Sequence, residues 1–181
     1  MKKVSMRTTL RITLVAIAAV VVGGGIVVGA AAEQPNHANR LEATFDVTRL
    51  AVADHAADLG IRQVIASGTG TLEGFGPATE IVAVSIDLTV TPCGPGSNTT
   101  TFLRRIVVRE GTLVVKTLAH QCPTSTGLAV VGEYQVDGAS STGVFAGASG
   151  SGSDTSQVAP PPSGLITATM SGKLHLVQSG D

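Results

Sequence analysis

The sequence has no tryptophan, one tyrosine and four phenylalanines, and only 14% of its residues are charged. Such a composition gives little aromatic mass for a core, yet apolar residues still reach 43%. That fraction is too high for a disordered chain. Glycine, threonine, serine and valine are abundant instead. Since threonine and valine favour pleated strands and glycine favours turns and bulges, the composition indicates an all-β protein.

Acidic residues are absent from the first 32 positions, which carry four basic residues before Ile12. From Ile12 to Ala32 there is no charge at all. A basic start, an apolar run and small residues at Ala30 and Ala32 are typical of a secretory signal helix cleaved between Ala32 and Glu33. The alternative is an uncleaved membrane anchor, because the apolar run is long enough to cross a bilayer. The pattern predicts a secreted or cell-envelope protein.

Removal of this signal changes the charge of the chain. Four of the twelve basic residues and none of the thirteen acidic residues lie in residues 1–32, which leaves eight against thirteen and a formal charge of −5. No basic patch remains that could bind a polyanion, so nucleic acid is excluded as a predicted partner. The remaining length suits one domain. We predict a flexible leader at residues 33–40, a barrel at 41–177 and a tail at 178–181.

Alternation of apolar and polar residues predicts at least seven strands joined by short turns. A further short strand follows the glycine-rich turn Gly143–Gly152, and Ala51–Gly60 has the composition of a short helical turn or a loop. Short links without βαβ spacing predict a single antiparallel up-and-down β-barrel of about eight strands, whose closure removes exposed edges. The clearest predicted strands are Leu41–Thr48, Ile61–Leu72, Ile81–Thr91, Thr101–Arg109, Thr112–Ala119, Leu128–Val136 and Ile166–Leu176.

The alternation also predicts which residues share the inner face, because a slip of one residue would reverse the whole stripe. The inward residues are predicted to be Val84, Ile86, Leu88, Phe102, Ile106, Val115, Val130, Tyr134, Phe145, Met170 and Leu174.

Three segments near the end of the chain carry a resemblance. The strand Gly132–Gly138 leads into Gly143–Gly152, which reads G-x-F-x-G-A-x-G-x-G, and the chain closes with Ile166–Leu174, which contains S-G-x-L. This order resembles the allene oxide cyclase/dirigent-like barrel proteins, especially small secreted bacterial members of unassigned activity. The resemblance implies an eight-stranded antiparallel barrel that sometimes assembles as a trimer. It implies no particular reaction, because the acidic and polar cavity groups of the plant members do not map onto this chain.

The two cysteines, Cys93 and Cys122, each lie beside a proline. In the predicted meander, one strand ends at Cys93, the next returns, and the third runs back to Cys122. Both thiols are therefore expected at the same rim, one strand apart. An even cysteine count in an exported chain predicts a disulfide. A reactive or metal-binding pair is the alternative.

Arg104 shares its predicted strand face with Phe102, Ile106 and Val108. It is therefore expected either inside the barrel or at its mouth. A buried guanidinium requires a partner, and it could orient an anionic ligand. The alternative is an arginine at the rim whose aliphatic stem covers apolar surface.

Recognisable catalytic and metal-binding patterns are missing. The nucleophile motif G-x-S-x-G is absent, no histidine pair has i, i+4 spacing, and neither cysteine belongs to a C-x-x-C pair. The glycine-rich segment 143–152 lacks the lysine of a phosphate-binding loop. We therefore predict no catalytic residues, no metal and no cofactor.

Three functions remain open. The first is a non-catalytic exported barrel that binds a small hydrophobic ligand inside or a partner outside. The second is an isomerase or cyclase that acts on a lipid-like substrate by positioning, which requires few signature residues. The third is a structural envelope-associated protein. A cavity with converging polar groups would favour the second, and a filled barrel the third. Membrane contact would be made only through an uncleaved signal.

Overall fold

The computed structural model of the protein describes residues 40–54, 59–160 and 165–177. The predicted signal peptide, nearly all of the leader and the tail at 178–181 lie outside the described residues. Apart from Leu59, which is helical, the regular secondary structure of the described residues consists of β-strands. The nine strands are β1 Leu41–Asp54, β2 Ile61–Leu72, β3 Gly76–Asp87, β4 Asn98–Val108, β5 Gly111–Thr124, β6 Gly127–Val136, β7 Thr142–Gly143, β8 Ser149–Val158 and β9 Ile166–His175.

Eight of these strands close into an antiparallel barrel. Each long strand pairs with the next one along the chain, and β6 pairs with β8. Pairing of β1 with β9, with Leu41 opposite Gly172, closes the ring. The short β7 pairs with the start of β5, where Gly143 lies opposite Gly111. The predicted up-and-down barrel of about eight strands is confirmed.

Several predicted strand boundaries are wrong. The strand β1 continues to Asp54, although 51–60 was expected to be a helical turn or a loop. A register shift between Arg49 and Ala51 inserts a bulge, which lets the strand continue beside β2. The strand β3 ends at Asp87 because its carboxylate accepts hydrogen bonds from the backbone N–H and the hydroxyl of Thr89. This Asx-type turn takes Leu88 and Val90 out of the sheet.

One end of the barrel, called the closed half here, is filled with side chains. The packing confirms six predicted inward residues as fully buried, Ile106, Val115, Tyr134, Phe145, Met170 and Leu174. The same cluster contains Leu41, Ala43, Phe45, Val47, Ala66, Leu72, Ala78, Val108, Leu113, Ala148 and Ala168.

The glycine-rich segment contributes to this packing in a way that the sequence analysis missed. Residues 149–152 belong to β8 and not to the predicted turn. A Cβ atom at Gly152 would lie 2.8 Å from Cε1 of Tyr134, well inside the contact distance of two carbon atoms. The tyrosine ring therefore occupies the volume that a larger side chain on β8 would need. Glycine at this position lets the ring of Tyr134 lie over the neighbouring strand β8.

Candidate functional site

The other end of the barrel, called the open half, contains a cavity of about 310 Å³. Val84, Ile86, Leu88 and Phe102 were predicted to face inward, and they line this cavity as half-buried residues. Val130, the remaining inward prediction, also lines it and is buried. The apolar wall is completed by Val47, Val52, Val64, Ala66, Val82, Leu128, Val158, Ile166 and Ala168.

Arg104 forms the deepest part of the cavity wall on β4. The cavity-lining residues of this strand run from Asn98 at the mouth to Arg104, and Ile106 beyond it belongs to the filled core. Only 2% of Arg104 is exposed. The structure therefore places this side chain inside the barrel and not at the rim. Arg104 separates the open half from the closed half.

Two buried carboxylates hold the guanidinium. Nε and Nη2 of Arg104 donate to the two oxygens of Asp154 at 3.0 and 3.2 Å. Nη1 donates to Oε2 of Glu80 at 2.9 Å. Glu80 and Asp154 are 1% and 2% exposed, so the three charges are almost fully removed from water. Charge-assisted pairs of this geometry are strong and direction-specific.

Further contacts fix this group, which we call the floor cluster (Glu80, Arg104, Thr117 and Asp154). The hydroxyl of Thr117 donates to Asp154 at 2.9 Å. The guanidinium carbon lies 5.1 Å from the ring centroid of Phe102, within the range of a cation–π contact. The strands β3, β4, β5 and β8 thus each contribute one member. The Arg104 side chain, bonded to Glu80 on β3 and to Asp154 on β8, therefore has little freedom to change its rotamer.

The electrostatics of the floor cluster are dominated by burial. Burial raises the pKa of Glu80, although the charge of Arg104 and its hydrogen bond to Glu80 oppose the shift. Burial alone would lower the pKa of Arg104, but Asp154 and Glu80 outweigh that effect and raise it. The guanidinium therefore stays charged. Glu80 is the member whose proton is held more tightly than in water.

Two polar atoms near the cluster lack a hydrogen-bond partner among the described residues. They are Oε1 of Glu80 and the hydroxyl of Tyr134, and both are buried. Burial first, and then the charge of Asp154, raise the pKa of Tyr134 to about 12. Its phenol is therefore neutral at physiological pH. Space for the Glu80 stem comes from β2, where a Cβ atom at Gly68 would lie 3.2 Å from Cγ of Glu80.

Polar groups also lie on the cavity wall above the floor. The hydroxyl of Thr100 donates to Oδ1 of Asn98 at 2.9 Å, and Nδ2 of Asn98 donates to Oε1 of Gln121 at 3.0 Å. Ser156 on β8, two strands away from Gln121, also lines the cavity and is buried. The cavity therefore combines an apolar wall with several hydrogen-bonding groups and one fixed cation.

The disulfide lies at the mouth of the open half. Cys93 and Cys122 are bonded, with their Cα atoms 5.8 Å apart, which confirms the predicted bridge. It ties the β3–β4 connection to the end of β5. Leu88 and Gly96, at the two ends of that connection, both line the cavity. The bridge therefore fixes part of the cavity rim.

Several other polar residues of the described part of the chain lie outside the cavity. Asp87, at the end of β3, forms the turn described above and does not line the cavity. His120 and His175 are exposed. Ser149 and Ser151 are exposed on β8. The described residues contain no cluster of three or more metal-ligating side chains, and none of their helical segments is long and apolar enough to cross a membrane.

Sequence reasoning missed both partners of Arg104. Glu80 lies on the same face of β3 as Val82, Val84 and Ile86. Extending this apolar stripe by two residues toward the start of the strand would have found it. Asp154 has the same parity as Ser156 and Val158 on β8. Its neighbours are serine and glycine, which give no apolar alternation, so no signal in the sequence marked it.

The comparisons with known proteins do not assign the chain to a family. No protein-family model matches the chain, and no curated protein and no solved structure match it. The resemblance to the allene oxide cyclase/dirigent-like barrels gains no support from these comparisons and stays a prediction. The fold and the cavity therefore carry the functional conclusion.

Proposed function

We propose that the protein is an exported binding protein that holds a small, mainly apolar ligand in the open half of its barrel. The observation that carries the proposal is the uneven filling of the barrel. Side chains fill the closed half to the floor cluster, whereas the open half keeps a cavity of about 310 Å³. A barrel whose only role is structural would gain stability from filling that space, because close packing is favourable.

The size and chemistry of the cavity limit the ligand class. Known ligand pockets span roughly 300–1,000 Å³, so this cavity lies at the small end. Its wall is largely valine, isoleucine, leucine and alanine. Such a surface suits one ring or a short alkyl chain, with a polar group directed at Arg104. A longer molecule would have to extend through the mouth beside Leu88 and Gly96.

Export is part of the proposal. A disulfide between Cys93 and Cys122 is compatible with an oxidising compartment, and the basic and apolar start of the chain agrees with a signal peptide. Sequencing the amino terminus of protein recovered from the envelope and the medium tests this part. We expect a start at or near Glu33, and an intact Met1 chain in the membrane fraction would show an anchor.

The second candidate is an isomerase or cyclase that uses the same cavity. It is favoured by the fixed cation at the cavity floor, which could polarise a carbonyl group of a bound substrate. The two candidates differ in whether a bound molecule is changed. Incubating the protein with its co-purifying ligand and analysing the products by mass spectrometry distinguishes them.

Native mass spectrometry of the purified protein tests the binding function. We expect an additional mass that is lost on denaturation and extracts into organic solvent. In the variant Val84→Trp the indole enters the cavity and should remove this mass. The matched control is Ser85→Trp, because its neighbouring position points to the outer face. Retention of the ligand in Val84→Trp, with the fold intact by circular dichroism, would contradict binding in the open half.

A further inference from the structure

We propose that Glu80 and Asp154 make the cavity selective for an uncharged ligand that carries a carbonyl or hydroxyl oxygen, and that they reject the corresponding carboxylate. This inference names the ligand chemistry of the site and rests on the proposed binding function. It makes both carboxylates specificity-determining residues, although neither lines the cavity.

The net charge of the floor cluster is the first reason for this selectivity. Arg104 is a cation at the end of an apolar cavity, and taken alone it would attract an anion. It is already bonded to two carboxylates, at 2.9 Å from Glu80 and at 3.0 Å from Asp154. With both ionised, the cluster has a net charge of −1. Protonation of Glu80 makes it neutral, so in neither state is a positive charge left for an anionic ligand.

The burial of the floor cluster strengthens the effect of these charges on a ligand. All three side chains are at most 3% exposed, so water screens their charges poorly. A carboxylate that entered the cavity would lose its own hydration as well. Burying a charge without a compensating partner is strongly unfavourable. The anionic form of a ligand is therefore disfavoured by desolvation and by the carboxylates behind Arg104.

The hydrogen-bond count explains why a neutral oxygen is accepted. A guanidinium has five N–H donors, and Glu80 and Asp154 take three of them. One N–H on Nη1 and one on Nη2 have no acceptor among the described residues. Arg104 lines the cavity, so a ligand bound there can approach the guanidinium. A carbonyl or hydroxyl oxygen can accept these hydrogen bonds without adding a charge.

Arg62 is the other cation on the cavity wall, and it needs a control. It is half-buried at the start of β2, where it lies opposite Ile86 in register. This places it at the mouth, whereas Arg104 is at the floor. An anion attracted to the mouth would respond to Arg62→Gln and not to changes at Glu80.

The experiment measures the affinities of two matched probe pairs by calorimetry at neutral pH. The pairs are acetophenone with benzoate, and octanoate with the methyl ketone in which a methyl group replaces one of its oxygens. In the wild-type protein we expect each ketone to bind at least tenfold more tightly than its carboxylate. Glu80→Gln changes the net charge of the ionised cluster from −1 to 0, so this ratio should fall at least fivefold, through tighter binding of the carboxylate. Arg62→Gln, and Glu133→Gln on the outer surface, should leave the ratio unchanged.

The outcomes separate this inference from the proposed function. If a carboxylate binds the wild-type protein as tightly as its ketone, the selectivity is wrong while the binding function stands. An unchanged ratio in folded Glu80→Gln also overturns the role of Glu80. If neither member of either pair binds, both the binding function and this inference fail. Should Glu80→Gln not fold, the wild-type ratio still decides the selectivity.

Discussion

Arg104 and Asp154 lie fifty residues apart in the chain and meet inside the barrel through two parallel hydrogen bonds. The bonds run from Nε to Oδ2 and from Nη2 to Oδ1, so the carboxylate holds the guanidinium along one edge. They join β4 to β8 across the interior, although these strands are not neighbours in the sheet. The pair therefore links opposite walls of the barrel as well as supporting the cavity floor.

Removing Asp154 should destabilise the fold strongly. The variant Asp154→Ala leaves a buried guanidinium with only Glu80 as a charged partner. Breaking a buried pair in this way costs about 3–5 kcal/mol, and we expect this loss in denaturant unfolding followed by circular dichroism. Glu133→Ala removes an exposed carboxylate from β6 and is the control. Equal unfolding midpoints in the two variants would contradict the assigned role of Asp154.

Tyr134 offers a direct spectroscopic measurement, because it is the only tyrosine and the chain has no tryptophan. We expect its near-ultraviolet absorbance in the folded protein to titrate with a pKa of about 12. After denaturation the value should return to about 10. Since the folded-state pKa is raised, folding stability should fall as the pH rises from about 10 toward 12. A native titration at the ordinary value would show that the phenol is not buried as described.

Glu80 should make stability depend on pH in the opposite direction from an ordinary ion-paired carboxylate. Its folded-state pKa is raised above 4.5, so just above pH 4.5 the folded state retains a proton that the unfolded state has released. The free energy of unfolding contributed by this group therefore falls as the pH rises through that window. In Glu80→Gln this decline should disappear, whereas Glu133→Gln should retain it. Parallel pH profiles for all three proteins would refute the assignment.

The disulfide should stabilise the fold appreciably. Closing a loop with a sequence separation of 29 is worth about 3.5 kcal/mol in the chain-entropy model. We expect the double variant Cys93→Ser/Cys122→Ser to lose stability of that order, measured by chemical unfolding. Peptide mapping without reductant should also recover the two cysteines as one linked peptide. Alkylation of both thiols in unreduced protein would show that the bridge does not form.

Adjacent positions on β4 test the inner and outer faces. Ile106 is fully buried in the closed half, whereas Val107 is 43% exposed on the outer face. Ile106→Asp places an unpaired charge in the core and should prevent folding, while Val107→Asp should be tolerated. Ile86→Asp should have an intermediate effect because Ile86 lines the open cavity. Soluble yield and circular dichroism measure all three, and equal behaviour at 106 and 107 would contradict the barrel register.

The sequence was sufficient to predict the barrel where apolar and polar residues alternate. Ile106, Val115 and Met170 were all placed on the inner face by parity, and the structure confirms them. Parity could not distinguish a residue in a packed core from one on a cavity wall. Ile106 and Ile86 both lie on a predicted inward-facing stripe, yet only Ile106 is fully buried. That difference depends on which side chains from other strands fill the same layer.

The floor cluster was only partly predictable for a related reason. Arg104 stood out because it interrupts an apolar stripe, which raised the question of its partner. Neither carboxylate lies near it in the chain, and Asp154 belongs to a glycine- and serine-rich segment without apolar alternation. The pair forms only because the barrel closes and brings β8 opposite β4. Such a contact depends on tertiary geometry, which one-dimensional patterns do not contain.

The barrel cannot close before β9 pairs with β1. Phe45 lies opposite Ala168 in this pairing, a contact between positions more than a hundred residues apart, of the kind that slows folding. Until residues 166–175 are available, β1 and β8 each present an unpaired edge, which is open to pairing with other chains. A chain whose synthesis stops before β9 would therefore form an open sheet prone to aggregation, and the last strand converts that sheet into a barrel.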